Sequence, residues 1–215
     1  MITSKTKLTI AAYNKNAENY TSKFENFAVY KKKITEFQKK FVPKGANILD
    51  LGCGPGQNIQ IMRIADPGCT CTGIDLSSEF IHIAKQQNPG TILIEKDLRN
   101  FRADRKFDII IASFCIVHLT NDETKTLIKE ISKSLTEKGH LYLSFMEGSK
   151  SGFEITSFSK EEIYFNYYSE NDIVHILKKF NLKPLEINRE DYQEKDGSIT
   201  TDIFIFASKI LKKRV

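Results

Sequence analysis

The run Leu49-Asp50-Leu51-Gly52-Cys53-Gly54-Pro55-Gly56 constrains the fold of this chain more than any other. Ile48 to Leu51 is a short apolar stretch, too short for a helix, that runs directly into glycines. It predicts a buried strand. Gln57 to Ile64 then has helical spacing. Strand, glycine turn and helix form the opening unit of an open α/β sheet, and ligands of such sheets sit outside the carboxyl ends of the strands. Without a Cβ, Gly52 and Gly54 let the backbone turn tightly and lie against a ligand. The helix that follows offers free N–H groups.

The same alternation continues along the chain. Cys69 to Asp75, Thr91 to Glu95, Phe107 to Phe114 and His140 to Phe145 read as further strands. Phe107 to Phe114 is apolar almost throughout, as expected of a parallel strand covered on both faces. Ser78 to Gln87 reads as a helix with Ser77 as its N-cap. Thr120 with Glu123 is a capping box opening a helix through about Leu135, closed by Gly139. Asn171 to Phe180 is a later helix. Leu185 to Tyr192 and Ile199 to Ala207 flank Asp196-Gly197, a hairpin signal. The order predicts a doubly wound, mostly parallel α/β sheet ending in an antiparallel hairpin. Leu8 to Val42 precedes it and reads as two helices.

Bulk properties narrow the function classes. The 215 residues suit one domain, and 40% hydrophobic with 27% charged residues is ordinary for a globular chain. No apolar run has the length of a membrane span, and Met1 to Lys7 has no signal-peptide pattern, so a cytoplasmic protein without membrane contact is expected. Cys53, Cys69, Cys71 and Cys115 form no CxxC pair and predict reduced thiols and no metal site. The net charge of +5 comes from runs such as Lys31 to Lys33 and from the tail residues Lys209, Lys212, Lys213 and Arg214. Solvated faces explain these runs, and no aromatic-rich basic ribbon accompanies them, so nucleic acid is a disfavoured partner.

Four strand ends carry the chemistry. After Gly52 to Gly56 comes Gly73-Ile74-Asp75-Leu76-Ser77, where an acid can accept from two ribose hydroxyls. Glu95-Lys96-Asp97-Leu98 offers a carboxylate to an adenine amino group. Ala112-Ser113-Phe114-Cys115-Ile116-Val117-His118-Leu119 follows the fourth strand. A nicotinamide enzyme also places an acid after its second strand, but would need the wider-spaced GxGxxG loop.

Taken in order, ILDLGCGPG, GIDLS, EKDL and FDIIIASFCIVHL resemble the class I S-adenosylmethionine-dependent methyltransferases, most closely the small-molecule type. The resemblance covers about Tyr13 to Ser208. It implies a seven-stranded sheet of order 3-2-1-4-5-7-6 with helices on both faces. It implies S-adenosylmethionine as cofactor, with Asp50, Gly52, Gly54 and Gly56 around the methionine part and Cys53 as a small filler in that loop. Asp75 with Leu76 would hold the ribose and Asp97 with Leu98 the adenine. Ser113 would lie on the same wall. Residues 1–42 would close over a cofactor-binding domain of residues 43–215, within one structural domain, with Tyr13 and Tyr20 lining the site or packing in the core. His118 is the candidate general base, with packing at its loop as the alternative.

The expected activity is methyl transfer to a small-molecule acceptor. RNA or protein methylation, a nicotinamide-dependent oxidoreductase and a non-catalytic cofactor-binding protein remain as alternatives. Residues 152–168 carry six aromatics after the fifth strand. They are expected to form a lid with the Tyr13–Tyr20 helix, an ordinary strand pair being the other reading.

Overall fold

The structure, a computed structural model, describes residues 3–102, 105–193 and 197–210. Met1, Asp196 of the expected hairpin turn and the tail residues Lys212, Lys213 and Arg214 lie outside them. Three helices come first, α1 (Ser4–Lys15), α2 (Ala17–Phe24) and α3 (Ala28–Phe41), where the sequence predicts two. The additional break falls at Asn16. Its side-chain amide donates to the Ala12 carbonyl, Ser159 Oγ and Glu161 Oε2. The last two partners are more than 140 residues away in sequence, so no local pattern announces the break.

The sheet strands are β1 (Asn47–Leu51), β2 (Thr70–Asp75), β3 (Ile92–Glu95), β4 (Phe107–Ser113) and β5 (Leu135–Met146). Between them lie α4 (Gln57–Ala65), α5 (Ser78–Gln87) and α6 (Asn121–Ser134). A separate hairpin, β6 (Ser151–Ile155) and β7 (Glu162–Asn166), precedes α7 (Glu170–Lys179). The chain then returns as the antiparallel pair β8 (Leu182–Gln193) and β9 (Ile199–Lys209). The order is β3-β2-β1-β4-β5-β9-β8. Numbering the seven sheet strands alone gives the expected 3-2-1-4-5-7-6.

The burial pattern follows from this order. β1 and β4 are central, and Ile48, Leu49, Leu51, Ile109, Ile110 and Ile111 are all within 1% of fully buried, as strands covered on both faces must be. On one face Ile110, Leu141 and Leu143 pack against Leu127, Ile128 and Ile131 of α6 and Ile173 and Leu177 of α7. On the other, Ile109, Tyr142 and Phe206 pack against Ile34 and Phe37 of α3 and Ile59 and Met62 of α4. The Thr120–Glu123 capping box is present. Gly139 does not close that helix. The helix ends at Ser134, and Leu135 already pairs with Phe107 as the first residue of β5, with a register shift before Ile109. No helix among the described residues is long and apolar enough to cross a membrane. The Cys69 and Cys71 thiols lie 3.5 Å apart.

Candidate active site

The parallel strands deliver their carboxyl ends to one edge, and there the chain encloses a cavity of about 670 Å³. Gly52, Gly54, Asp75, Leu76, Asp97, Leu98, Ser113 and His118 line it, with Tyr13 and Tyr20 from the helices above. Asp50, Cys53 and Gly56 sit behind that wall. Cys53 is buried, with its sulfur against the Cα of Gly73, where an added Cβ would lie 2.9 Å from it. Gly56 has φ 90° at the N-cap of α4.

The glycine turn is built for close approach. Gly52 has φ 68°, and a Cβ there would meet Cys115 Cβ at 2.5 Å. Gly54, at φ 53°, would meet nothing within 4 Å, because it faces open space. Its N–H donates to Asp75 Oδ2 at 2.8 Å, while Asp75 Oδ1 accepts from the Ser77 N–H at 2.9 Å. Asp75 therefore staples the glycine turn to the end of β2. Burial raises its pKa, against the pull of these N–H groups.

Asp50 is fully buried, and neither carboxylate oxygen has a hydrogen-bond partner; the Asn58 amide lies nearby, outside good bonding geometry. Burial, then repulsion from Asp75, pushes its pKa up to about 8. Asp97 differs. Arg99 Nε donates to both of its oxygens, and the Arg99 backbone N–H to Oδ1. Burial would raise the Asp97 pKa, but the Arg99 bonds prevail and lower it. Arg99 reaches on to Thr6 Oγ1 of α1 at 3.0 Å.

His118 joins three elements. Its Nδ1 lies 2.9 Å from the Tyr164 carbonyl oxygen, and its Nε2 lies 3.0 Å from the Tyr13 hydroxyl. A carbonyl only accepts, so Nδ1 carries the proton and Nε2 accepts from Tyr13. Burial holds its pKa down at about 4. An unfolded histidine titrates near 6.5. The contribution of His118 to stability is thus fully present above about pH 6.5 and is lost as pH falls toward 4. At pH 4.5 the loss is about 2–3 kcal/mol. In denaturant unfolding at pH 7 and pH 4.5, His118→Gln should lose less stability on acidification than the parent protein, by about that amount. Equal losses would show that His118 does not titrate with the depressed value.

Several site residues carry no local signal in the sequence. Arg99, Thr6, Phe80, Tyr30 and Asp202 all line the cavity. Each comes from a helix, turn or strand whose pattern is explained by packing alone. Phe114 is the exception that could be suspected, since it directly follows a largely apolar strand. Its φ of 50° is a strained conformation for a side-chain-bearing residue, costing on the order of 1–3 kcal/mol. The Phe114 N–H donates to the Ser144 carbonyl and lies within bonding distance of Ser144 Oγ, both at 3.1 Å, which holds it there.

A family profile described as "Methyltransferase domain" matches residues 48–139, the segment from β1 into β5 that holds the glycine turn, Asp75, Asp97 and His118. The matched segment, residues 48–139, is a methyltransferase domain of the class I S-adenosylmethionine-dependent type. A solved S-adenosylmethionine-dependent methyltransferase from Clostridium acetobutylicum shares the fold at TM-score 0.70 and 21% identity, covering 93% of this chain and 99% of that one. Magnesium protoporphyrin IX methyltransferase from Synechocystis, solved with its cofactor, superposes at TM-score 0.70 and 16% identity, covering 97% and 98%.

Among curated relatives, dTDP-3-amino-3,6-dideoxy-alpha-D-glucopyranose N,N-dimethyltransferase of Streptomyces fradiae is 33% identical over 76 residues, 35% of this chain and 29% of that protein. Trans-aconitate 2-methyltransferase of Klebsiella pneumoniae is 35% identical over 78 residues, 36% and 31%. The match to these two named relatives thus spans less than a third of their length. An uncharacterized protein of Methanocaldococcus jannaschii is 25% identical over 189 residues, 86% of this chain and 87% of that one. The cofactor of this methyltransferase is S-adenosylmethionine. The site suits it on physical grounds. The cofactor carries two cationic centres, a sulfonium and an ammonium. The wall beside Gly54 combines open backbone with Asp75 and, behind it, the unpartnered Asp50 carboxylate.

Proposed function

We propose that the protein transfers the methyl group of S-adenosylmethionine to a small molecule held in the same cavity. The observation that carries this reading is the size and placement of the cavity. It extends from the glycine turn and Asp97 to β9, well beyond the space over β1 to β3 that the cofactor would fill. S-adenosylmethionine supplies an already activated methyl group on a sulfonium. The protein's part is to align an acceptor and exclude water, which is worth on the order of 7–11 kcal/mol in favourable cases.

In this reading Gly52, Gly54 and Asp50 surround the methionine portion, Asp75 and Leu76 the ribose, and Leu98 and Asp97 the adenine. Because Asp97 is engaged by Arg99, only its remaining lone pairs serve the adenine amino group. Helices α1 to α3 and the β6–β7 hairpin together form the roof. Tyr13 stacks on Phe158 of the hairpin connection at 5.7 Å and packs on Phe80 at 5.5 Å. The Tyr164 carbonyl of β7 accepts from His118, and the Tyr164 N–H donates to Thr9 Oγ1 of α1. His118 acts here by fixing Tyr13 and the hairpin, since its unprotonated nitrogen is already bonded to Tyr13.

The small-molecule reading is favoured over a polymer because the roof closes the cavity on two sides. Incubation of the protein with methyl-labelled S-adenosylmethionine and either a metabolite extract or bulk RNA and protein separates the two. Label is expected in the small-molecule fraction. Label confined to macromolecules would contradict this reading.

A further inference from the structure

Two sets of aromatic side chains differ in what covers them. Phe37, Phe204 and Phe206 are fully buried in the core. Phe24, Phe27, Tyr30, Phe114 and Phe158 are only partly buried, and all five line the cavity. Apolar surface that a fold leaves uncovered inside a cavity is surface available to a ligand. This surface begins at the glycine turn. Ile111 of β4 pairs with Asp50 of β1, so Ser113 and Phe114, continuing that register, come level with Gly52 and Cys53. Gly52 and Gly54 also share a recess of about 80 Å³ with Phe24, Phe27, Tyr30 and Phe114. Phe114 thus stands one strand spacing, about 4.8 Å, from the turn, on the side away from Asp75 and Asp97.

The rings of this wall hold one another in place. Phe114 sits at φ 50°, with its N–H bonded to Ser144. The Tyr30 ring lies 4.8 Å from Phe114 and 4.5 Å from Phe27. The Tyr30 hydroxyl donates to Asp202 Oδ2 at 2.9 Å, so its side-chain polar atom is already engaged and the ring is fixed. Phe24 lies 6.2 Å from Tyr30 and nearly parallel to it, and meets Phe158 edge-on at 6.0 Å. A ligand against these five side chains meets ring faces and edges rather than free hydrogen-bonding groups.

Stacked and edge-to-face ring contacts stabilise beyond the area they bury, and a saturated ring of the same size forgoes that share. We propose that the methyl acceptor is a planar aromatic molecule lying against Phe114 and Tyr30, with the atom to be methylated on the ring edge nearest the glycine turn. This rests on the methyltransferase reading above and narrows its substrate class. In that reading the methionine portion of the cofactor lies at this turn. Reacting atoms must approach to about 3–3.5 Å, and a ring edge between Phe114 and Gly52 is placed for that. A lone pair on the oxygen or nitrogen at that edge forms the bond to the methyl carbon as the methyl–sulfur bond breaks, and the pair of the broken bond passes to sulfur. The proton carried by the acceptor atom leaves to water. The products are the methylated aromatic and S-adenosylhomocysteine.

Naphthol and decahydronaphthol, the same skeleton saturated, are the probes, titrated by calorimetry into protein saturated with S-adenosylhomocysteine. Naphthol is expected to bind saturably and its saturated counterpart at least tenfold more weakly. Phe114→Leu and Phe27→Leu should each weaken naphthol about fivefold or more. Both variants should hold S-adenosylhomocysteine within about threefold of the parent. If S-adenosylhomocysteine fails to bind the folded parent protein, the methyltransferase reading falls and this inference with it. If it binds but naphthol does not, if the saturated alcohol binds within about threefold of naphthol, or if neither variant weakens naphthol, the aromatic assignment falls alone. Tenfold loss of S-adenosylhomocysteine in both variants would assign this wall to the cofactor and overturn the inference. Should Phe114→Leu fail to fold, Phe27→Leu decides.

Discussion

Asp50→Asn is expected to stabilise the empty protein while weakening its grip on the cofactor. Folding at pH 7 forces a proton onto Asp50, whose pKa rises from an ordinary carboxylate value to about 8. Holding that proton costs about 4 kcal/mol at pH 7. A group raised in the folded state contributes its full share below about pH 4 and loses it as pH rises toward 8. Parent stability should therefore fall across that window through this residue, and the variant should lack that slope. The new amide is itself short of partners, which returns about 1–3 kcal/mol. The net gain at pH 7 should be about 1–3 kcal/mol in denaturant unfolding. Binding a cation beside Asp50 should also expel its proton. Titration of S-adenosylmethionine in two buffers of different ionisation enthalpy should show proton release by the parent protein and less by the variant. A variant no more stable than the parent, releasing the same protons, would place Asp50 outside this electrostatic account.

Asp75→Ala should do the opposite to stability. At the level of sequence Asp75 is an acid at a strand end, removable without harm to the fold. Its carboxylate in fact receives the backbone N–H groups of Gly54 and Ser77. Bonds to a charged acceptor are worth roughly 1.5–3 kcal/mol each, and water entering from the cavity recovers part of that. Unfolding free energy should drop by about 2–4 kcal/mol. Affinity for S-adenosylhomocysteine should fall about 10–100-fold, since the glycine turn and the ribose contact are lost together. Asp75→Asn keeps the size and one acceptor oxygen, so it should lie between the two. Full affinity in Asp75→Ala would mean that the acid neither contacts the cofactor nor positions the turn.

The parts of this fold visible in the sequence are those fixed by local chemistry. Buried strands such as Ile109-Ile110-Ile111 have no polar alternation, the turn at Gly52 and Gly54 needs positive φ, and Thr120 with Glu123 writes its cap in four residues. What escapes the sequence depends on distant partners. Asn16 breaks the first helix for the sake of Ser159 and Glu161. Gly139 looks like a helix terminator, but Leu135 is already claimed by the sheet edge beside Phe107. The aromatic run after β5 folds as a hairpin because Gly152 to Ile155 finds Glu162 to Phe165 in antiparallel register. Asp202 is hardest to foresee. In the sequence it is one polar residue in an alternating strand. Only the crossing of β9 beside Met146 brings it to the edge where Tyr30 meets it.

The central claim is that S-adenosylmethionine occupies the space between the glycine turn and Asp97. Calorimetric titration of the folded protein with S-adenosylhomocysteine, with NADH as control, tests it most directly. The account predicts one site with a dissociation constant of about micromolar order, lost or weakened 10–100-fold in Asp75→Ala, and no heat from NADH. Absence of binding by S-adenosylhomocysteine, or equal binding by NADH, would contradict it.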